Sequence, residues 1–96
     1  MEKVIVTFRL REGVTAEQYG AWAYEVDQRT TLRQDACWRN EVYVTPDGEI
    51  LEDIEITSWD AWRAVLDSDA MKPVYQQWVE LVDESTVKEL RGRRVV

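Results

Sequence analysis

The sequence of 96 residues has a mass of 11.3 kDa, which leaves room for one hydrophobic core, so we expect residues 1–96 to form a single domain. Its formal net charge of −7 and pI near 4.5 argue against binding of nucleic acid or of an anionic membrane. The sequence has no histidine, which removes the most common general base near neutral pH and a frequent ligand of haem and zinc.

The first part of the chain predicts a strand and then a helix. Residues 3–11 alternate apolar and polar side chains with a period of two, which is typical of a strand. Thr15 and Gln18 form a capping-box pattern, so we expect a helix that begins after Thr15 and ends near Arg29. Its apolar stripe, which should face the sheet, consists of Tyr19, Trp22, Ala23 and Val26.

The middle of the chain predicts a β-hairpin. Residues 30–35 have the composition of a loop, and strands are expected at residues 36–45 and 49–57. Between these strands, residues 46–48 read Pro-Asp-Gly, in which proline presets the turn and glycine adopts a positive φ at little cost.

The last part predicts a helix in two pieces and a final strand. Ser58 caps a helix at residues 59–67, and a second helix follows in which Pro73 suits the first turn. The final strand is expected at residues 85–90. The apolar stripe of the second piece consists of Val74, Tyr75, Trp78, Leu81 and Val82.

This β-α-β-β-α-β order predicts an α+β, ferredoxin-like fold with a four-stranded antiparallel sheet and helices on one face. Such a sheet leaves its other face uncovered. In the first three strands the even-numbered face is almost wholly apolar, and the odd-numbered face is mixed. Because a large apolar face is not left in water, a second copy of the same sheet is the simplest cover, and we expect a homodimer. The apolar face consists of Val4, Val6, Phe8, Trp38, Val42, Val44, Ile50, Ile54 and Ile56.

The sequence resembles the dimeric α+β barrel superfamily, and within it the RedY-like group of proteins tied to prodigiosin-type pigments and other natural products. The resemblance covers essentially the whole chain. It rests on residues 3–14 (KVIVTFRLREGV), residues 19–23 (YGAWA) with Asp27, residues 54–56 (IEI) and residues 70–72 (AMK).

The resemblance implies a homodimer whose sheets close into a barrel, with one small-molecule pocket per subunit. In related antibiotic-biosynthesis monooxygenases, a polar strand residue and a tryptophan four positions later line the pocket, and here these positions are Glu55 and Trp59. That polar residue is commonly asparagine, so Glu55 departs from the pattern. Haem-degrading members use a histidine, which this chain lacks. On this basis the odd-numbered face should line the pocket, and the even-numbered face, with Trp38, should form the dimer seam. Hydrophobicity alone favours the opposite arrangement, with the more apolar even-numbered face against the helices.

Arg39 and Glu55 are the first candidates for a catalytic pair. The predicted hairpin register places Arg39 opposite Glu55 and Tyr43 opposite Leu51. A cross-strand ion pair is the structural interpretation. The functional interpretation is a carboxylate acid or base held by a guanidinium that orients a carbonyl or carboxylate substrate.

Asp27 is the second candidate acid. It lies near the end of the first predicted helix, where a negative charge opposes the helix dipole. A solvated helix end would explain such a residue, but the resemblance also matches this position.

Aromatic side chains are more numerous than one small core needs, with five tryptophans and four tyrosines. Flat rings at helical spacing are ordinarily core, yet around a cavity they would suit a flat ligand. The candidate ligand-binding residues are Tyr19, Trp22, Tyr43, Trp59, Trp62, Tyr75 and Trp78.

The remaining candidates for chemistry are few. Cys37 is a single cysteine with no histidine to activate it, and it cannot form an internal disulfide, so a cytoplasmic setting is expected. Met1 leads within a few residues into the first strand, and we expect no signal peptide. An acidic cluster around the hairpin lacks the spacing of a calcium loop, so we expect a solvated rim and neither metal nor cofactor. This cluster consists of Asp47, Glu49, Glu52 and Asp53.

We therefore expect a small homodimeric protein of specialised metabolism. It would bind a flat aromatic, polyketide-like or pyrrole-like intermediate and catalyse a cofactor-free cyclisation, isomerisation or dehydration. Two alternatives are a non-catalytic binding or dimerisation module of the same fold, and a cofactor-independent monooxygenase.

Overall fold

The computed structural model describes residues 1–96 and has the predicted ferredoxin-like architecture. Its strands are β1 (Glu2–Leu10), β2 (Cys37–Val44), β3 (Ile50–Ile56) and β4 (Val82–Arg93). All neighbouring pairs are antiparallel, and the sheet has the order β2-β3-β1-β4. The predicted element order and four-stranded sheet are thus confirmed.

The helices pack on one face of this sheet. Between β1 and β2 the chain forms α1 (Ala16–Trp22), a π-helical turn (Ala23–Asp27) and α2 (Gln28–Thr31). Between β3 and β4 it forms α3 (Trp59–Leu66), a short 3₁₀ turn (Asp69–Met71) and α4 (Lys72–Leu81), so the predicted split of the second helix is confirmed. None of these helices is long and apolar enough to cross a membrane.

The predicted helix starts are present. Thr15 and Gln18 form the complete capping box, with the Thr15 hydroxyl accepting from the Gln18 N–H and the Gln18 side chain accepting from the Thr15 N–H. The Ser58 hydroxyl accepts from the N–H of Ala61 and caps α3. The first helical segment ends at Thr31, two residues beyond the predicted end.

The last strand is longer than predicted. It covers twelve residues, and pairs with β1 from Leu10↔Val82 to Glu2↔Arg93. Val82, predicted to continue the helix stripe, is instead the buried first residue of the strand. Backbone pairing along the whole of β1 outweighs the polar sequence after Val82, so that residues 91–93, beyond the predicted end at residue 90, also belong to the strand.

The predicted hairpin register is confirmed. Thr45 donates its N–H to the carbonyl oxygen of Glu49 at 2.8 Å, and Gly48 adopts a φ of +83°. Arg39 lies opposite Glu55, as predicted. Trp38 is an extra residue between the Cys37↔Ile56 and Arg39↔Glu55 pairs, and it forms a bulge.

The prediction that the odd-numbered face packs against the helices is wrong. The helices cover the even-numbered face of β1 and β3, because burial of apolar area is the dominant favourable term in folding. One buried cluster joins that face to α3 and α4, and the other joins it to the first helical segment. The first cluster consists of Val4, Cys37, Ile54, Ile56, Trp62, Val65, Met71 and Val74. The second consists of Phe8, Tyr19, Ala23, Ile50 and Val82.

The odd-numbered face is uncovered in the single chain, and we call it the outer face. Trp38, expected in an apolar seam on the opposite face, is 62% exposed at the bulge. The outer face carries charges of both signs between apolar side chains. It consists of Lys3, Ile5, Thr7, Arg9, Arg39, Glu41, Tyr43, Leu51, Asp53, Glu55, Lys88 and Leu90.

The π turn in the first helical segment determines which side chains reach the sheet. Side chains four residues apart rotate by about 40° at each step of a regular α-helix, because each residue turns the chain by about 100°. A π turn holds more residues and cancels part of that drift. The row spaced by four therefore stays buried along the whole segment. It consists of Tyr19, Ala23, Asp27 and Thr31.

Candidate functional site

A cavity of about 520 Å³ lies between the helix-facing side of the sheet and helices α3 and α4. Its walls are largely apolar and aromatic, which is typical of small-molecule sites. Trp62 and Trp78 line it, and the Trp78 ring meets the Phe8 ring edge to face with centroids 5.4 Å apart. Tyr75 lies at its edge, half exposed, and its hydroxyl donates to Glu84 at 2.8 Å. The apolar lining also includes Val4, Val6, Ile54, Leu66, Met71, Val74 and Val87.

Two carboxyl groups also line this cavity. Glu52 projects from β3 and Asp27 projects from the π turn. Both residues are buried, with only 7% of their surface exposed. The buried Tyr19 hydroxyl donates a hydrogen bond to Glu52. The site thus combines a phenol and two carboxyl groups in a low-dielectric environment.

Burial changes the acidity of all three groups. Desolvation by burial and, to a smaller extent, the charge of the nearby Asp27 raise the pKa of Glu52 to about 8. The hydrogen bond from Tyr19 partly opposes this rise. Desolvation raises the pKa of Asp27 to about 6, and hydrogen bonding by Asn40 partly opposes that rise. Desolvation followed by the charge of Glu52 raises the pKa of Tyr19, so its phenol remains a donor. At neutral pH one carboxyl is therefore mainly protonated and the other mainly ionised.

An amide and a hydroxyl complete the polar part of the cavity. Asn40 on β2 donates from Nδ2 to the Thr31 hydroxyl at 3.1 Å, and that hydroxyl donates to the Asp27 carbonyl oxygen at 3.0 Å. The Asn40 Oδ1 atom is buried and has no hydrogen-bond partner.

Neither carboxyl group has a positively charged partner. The salt bridges of the chain include neither Asp27 nor Glu52. The one basic side chain that lines the cavity, Arg63, pairs with Asp67 at 3.7 Å. The carboxyls are therefore stabilised only by protonation and by hydrogen bonds from neutral side chains.

Three of the predicted site residues lie elsewhere, on the outer face. Arg39 Nη2 is 3.3 Å from a Glu55 carboxylate oxygen and 3.4 Å from an Asp53 oxygen. Lys3 joins the same network, at 3.2 Å from Asp53 and 3.7 Å from Glu55. Tyr43 is half exposed on this face. The sheet separates all three predicted residues from Asp27, and the geometry of Arg39 and Glu55 is that of a cross-strand ion pair.

The other predicted aromatic residues are not part of the cavity lining. Trp59 lies half-buried under the Arg91 guanidinium, whose carbon is 3.9 Å from the ring centroid. Trp22 is half-buried and donates its indole N–H to Gln77 at 2.9 Å. Tyr19 is fully buried and reaches the site through its hydroxyl. The structure thus brings Asp27, Trp62, Tyr75 and Trp78 to the cavity wall.

Glu52 and Asn40 are the site residues that sequence reasoning missed. Glu52 was expected in a solvated rim, and that prediction is wrong, since the residue is buried beside the helices. A signal was available, because both residues interrupt the otherwise apolar even-numbered face of their strands. The chain has no group of three or more acidic or cysteine side chains that could hold a metal ion.

Comparisons with known proteins place this geometry in a family context. The family model described as REDY-like protein HapK matches residues 2–95. The crystal structure of HapK from Hahella chejuensis is similar to the chain with a TM-score of 0.86 and 23% sequence identity, over 99% of this chain and 93% of that chain. No curated protein sequence is significantly similar.

Two further solved structures share the fold. SnoaB, a cofactor-independent oxygenase from Streptomyces nogalater, aligns with a TM-score of 0.81 and 13% identity, over 99% of this chain and 93% of that chain. A putative antibiotic biosynthesis monooxygenase from Nitrosomonas europaea aligns with a TM-score of 0.72 and 12% identity, over 100% of each chain. At these identities the likeness concerns the fold alone.

Proposed function

The chain belongs to the REDY-like HapK family. From this premise we propose that it is a homodimeric protein of specialised metabolism. We propose that its cavity binds a flat aromatic, polyketide-like or pyrrole-like intermediate. We propose further that it catalyses a cofactor-free proton transfer, such as a cyclisation, isomerisation or dehydration. One observation carries this proposal: an aromatic-walled cavity of about 520 Å³ contains two buried carboxyl groups without a positively charged partner.

The two carboxyl groups suit the two halves of an enolisation. Asp27, mainly ionised at neutral pH, would remove a proton from the carbon next to a substrate carbonyl. Glu52, mainly protonated, would give its proton to the carbonyl oxygen as the C–H electron pair forms the new double bond. In the second half, Glu52 would take the proton back from the enol oxygen, and Asp27 would give its proton to another carbon atom. Both carboxyls would then be in their starting protonation states. Tyr19 would act as a positioning residue for Glu52.

Loss of either carboxyl should remove this chemistry while ligand binding persists. Asp27→Asn and Glu52→Gln should each lower the conversion of the pathway intermediate by about 10²-fold or more, which is the usual contribution of a positioned acid or base. Turnover and quenching of tryptophan fluorescence by the same intermediate measure the two properties separately.

Glu55→Gln is the matched control for this prediction, because it removes a carboxylate from the same strand on the opposite face. It should retain turnover and quenching. Full turnover in both Asp27→Asn and Glu52→Gln, with quenching retained, would favour the alternative of a non-catalytic binding module. Oxygen consumption during turnover, measured with an electrode, would favour the cofactor-independent monooxygenase.

The homodimer we propose would use the outer face. Charges of both signs lie on this face. Across a two-fold axis, a residue away from the axis contacts a different residue of the partner, so that opposite charges can meet. Apolar side chains stand among these charges, with Ile5 opposite Leu90 on neighbouring strands and Leu90 70% exposed.

Light scattering coupled to size exclusion should therefore give twice the chain mass of 11.3 kDa. Leu90→Glu should shift the protein toward the monomer, because it places an unpaired carboxylate within the proposed interface. Leu32→Glu, at an exposed residue just after α2, should leave the dimer intact. A wild-type protein that stays monomeric at millimolar concentration would refute the dimer.

A further inference from the structure

The polar groups of the cavity are mainly acceptors. Asp27 and Glu52 supply carboxyl oxygens, and Asn40 supplies a buried Oδ1 atom without a hydrogen-bond partner although the residue is only 4% exposed. A buried acceptor left without a donor costs free energy, so a donor arriving with a ligand would satisfy it. The cavity therefore has an unsatisfied acceptor and no positive charge that pairs with its carboxyls.

None of the elements around the two carboxyl groups supplies a positive charge that pairs with them. The first helical segment contributes the Tyr19 phenol and β2 contributes the buried Cys37 thiol, and neither carries positive charge. Strand β4 contributes Glu89, which Arg91 already pairs at 3.3 Å. Helix α4 contributes the neutral Tyr75, and α3 contributes only the mutually paired Arg63 and Asp67.

We infer that the ligand of this cavity is a cation, namely a planar aromatic molecule with a protonated, hydrogen-bearing nitrogen. Its ring would stack among the indoles of Trp62 and Trp78. Its charge would be balanced by Asp27 and Glu52, and an N–H group would donate to Asn40 Oδ1. This inference rests on the ligand-binding part of the proposed function and adds the charge of the ligand to it. The proposed proton transfer would then take place in the fraction of the complex in which Glu52 has kept its proton.

A cationic ligand and a proton would compete for the same carboxyl pair. A bound cation favours the ionised form of both carboxyls, so binding releases a proton wherever the free protein still holds one. The affinity for a cation should therefore rise with pH between about pH 6 and pH 8, by up to tenfold per pH unit for one proton released. A neutral or anionic ligand of the same shape would not show this increase.

Three naphthalene probes of matched size test the inference with the unmodified protein. They are 1-naphthylmethylammonium, which carries the positive charge and N–H donors, neutral 1-naphthylmethanol, and anionic 1-naphthylacetate. Isothermal titration calorimetry at pH 6, 7 and 8, in two buffers of different ionisation enthalpy, measures both affinity and proton release. We expect the cation to bind most tightly, about tenfold or more above the alcohol at pH 8, and the anion to bind most weakly.

The variant Glu52→Gln tests the origin of the effect. It should abolish the rise of cation affinity with pH above pH 7, and at pH 8 it should weaken the binding of 1-naphthylmethylammonium more than that of 1-naphthylmethanol. Asp27→Asn provides a second test if that variant fails to fold. Equal or tighter binding of the alcohol or the anion, or cation binding without proton release, would overturn the inference and leave the proposed ligand cavity standing. Failure of all three probes to bind would count against the ligand cavity itself.

Discussion

The free energy of unfolding of the Glu52→Gln variant should fall much less than that of the wild type between pH 5 and pH 8, with the remaining fall below pH 6 coming from Asp27, whose pKa is raised to about 6. The carboxyl of Glu52 has a pKa near 4.5 when exposed and about 8 when buried in the folded chain. Between these values the folded state holds a proton that the unfolded state has lost. Stability therefore falls as the pH rises through this window.

The size of this effect should be large for one side chain. Each unit of pKa difference between folded and unfolded states corresponds to about 1.4 kcal/mol, so the wild type should lose more than about 1 kcal/mol relative to the variant. Glutamine keeps the shape of the protonated acid, and its carbonyl oxygen can still accept from Tyr19. The two proteins should therefore have similar stability at pH 5 and diverge above it.

Urea denaturation followed by circular dichroism at half-unit pH intervals measures this difference. Glu80→Gln removes an exposed carboxylate from α4 and should leave the wild-type pH dependence intact. Parallel curves for wild type and Glu52→Gln from pH 5 to pH 8 would show that Glu52 is ionised in the folded protein, contrary to its burial beside Asp27.

Phe8→Ala should destabilise the chain by about 3–5 kcal/mol, the usual cost of truncating a buried phenylalanine. The Phe8 ring is fully buried on the central strand β1, and both of its aromatic contacts, with Tyr19 and Trp78, are edge to face at 5.4 Å. Its loss would leave a void where β1, the first helical segment and α4 meet. Since small domains have total stabilities of about 5–15 kcal/mol, this one change consumes a large part.

The same urea experiment at constant pH checks the second prediction. Tyr24→Ala is the matched control, because it truncates an aromatic side chain that is exposed in the first helical segment and should change stability by no more than about 0.5 kcal/mol. A loss below about 1 kcal/mol for Phe8→Ala would contradict the packing described for β1.

Most of the fold could be predicted from local signals. The alternation in residues 3–11, the capping box at Thr15 and the Pro-Asp-Gly turn each fix one element, and together they determine the element order and the hairpin register. The extent of β4 could not be predicted in the same way. Its sequence is polar and carries little strand signal. Its length is determined by the backbone N–H and C=O groups of β1, which need hydrogen-bond partners along the whole strand.

Less of the candidate site than of the fold could be predicted from the sequence. Asp27 could be singled out because a carboxylate opposes the helix dipole there, but its burial depends on the π turn, which has no clear sequence pattern. The choice of sheet face was wrong because the family resemblance placed Glu55 in a pocket, whereas the burial of Phe8 and Ile54 decided the packing. Glu52 would have been identified by asking which polar residues interrupt the apolar face.

The π turn also bears on efforts to stabilise this protein by design. A consensus or idealised helix would replace the widened turn by regular α-helical backbone, a change that ordinarily strengthens a helix. Here that change would rotate Asp27 away from the cavity and bring a neighbouring side chain to the sheet. Thermostability and chemistry would thus compete within a single helical turn, and variants selected only for a higher melting temperature should be sought outside residues 23–27.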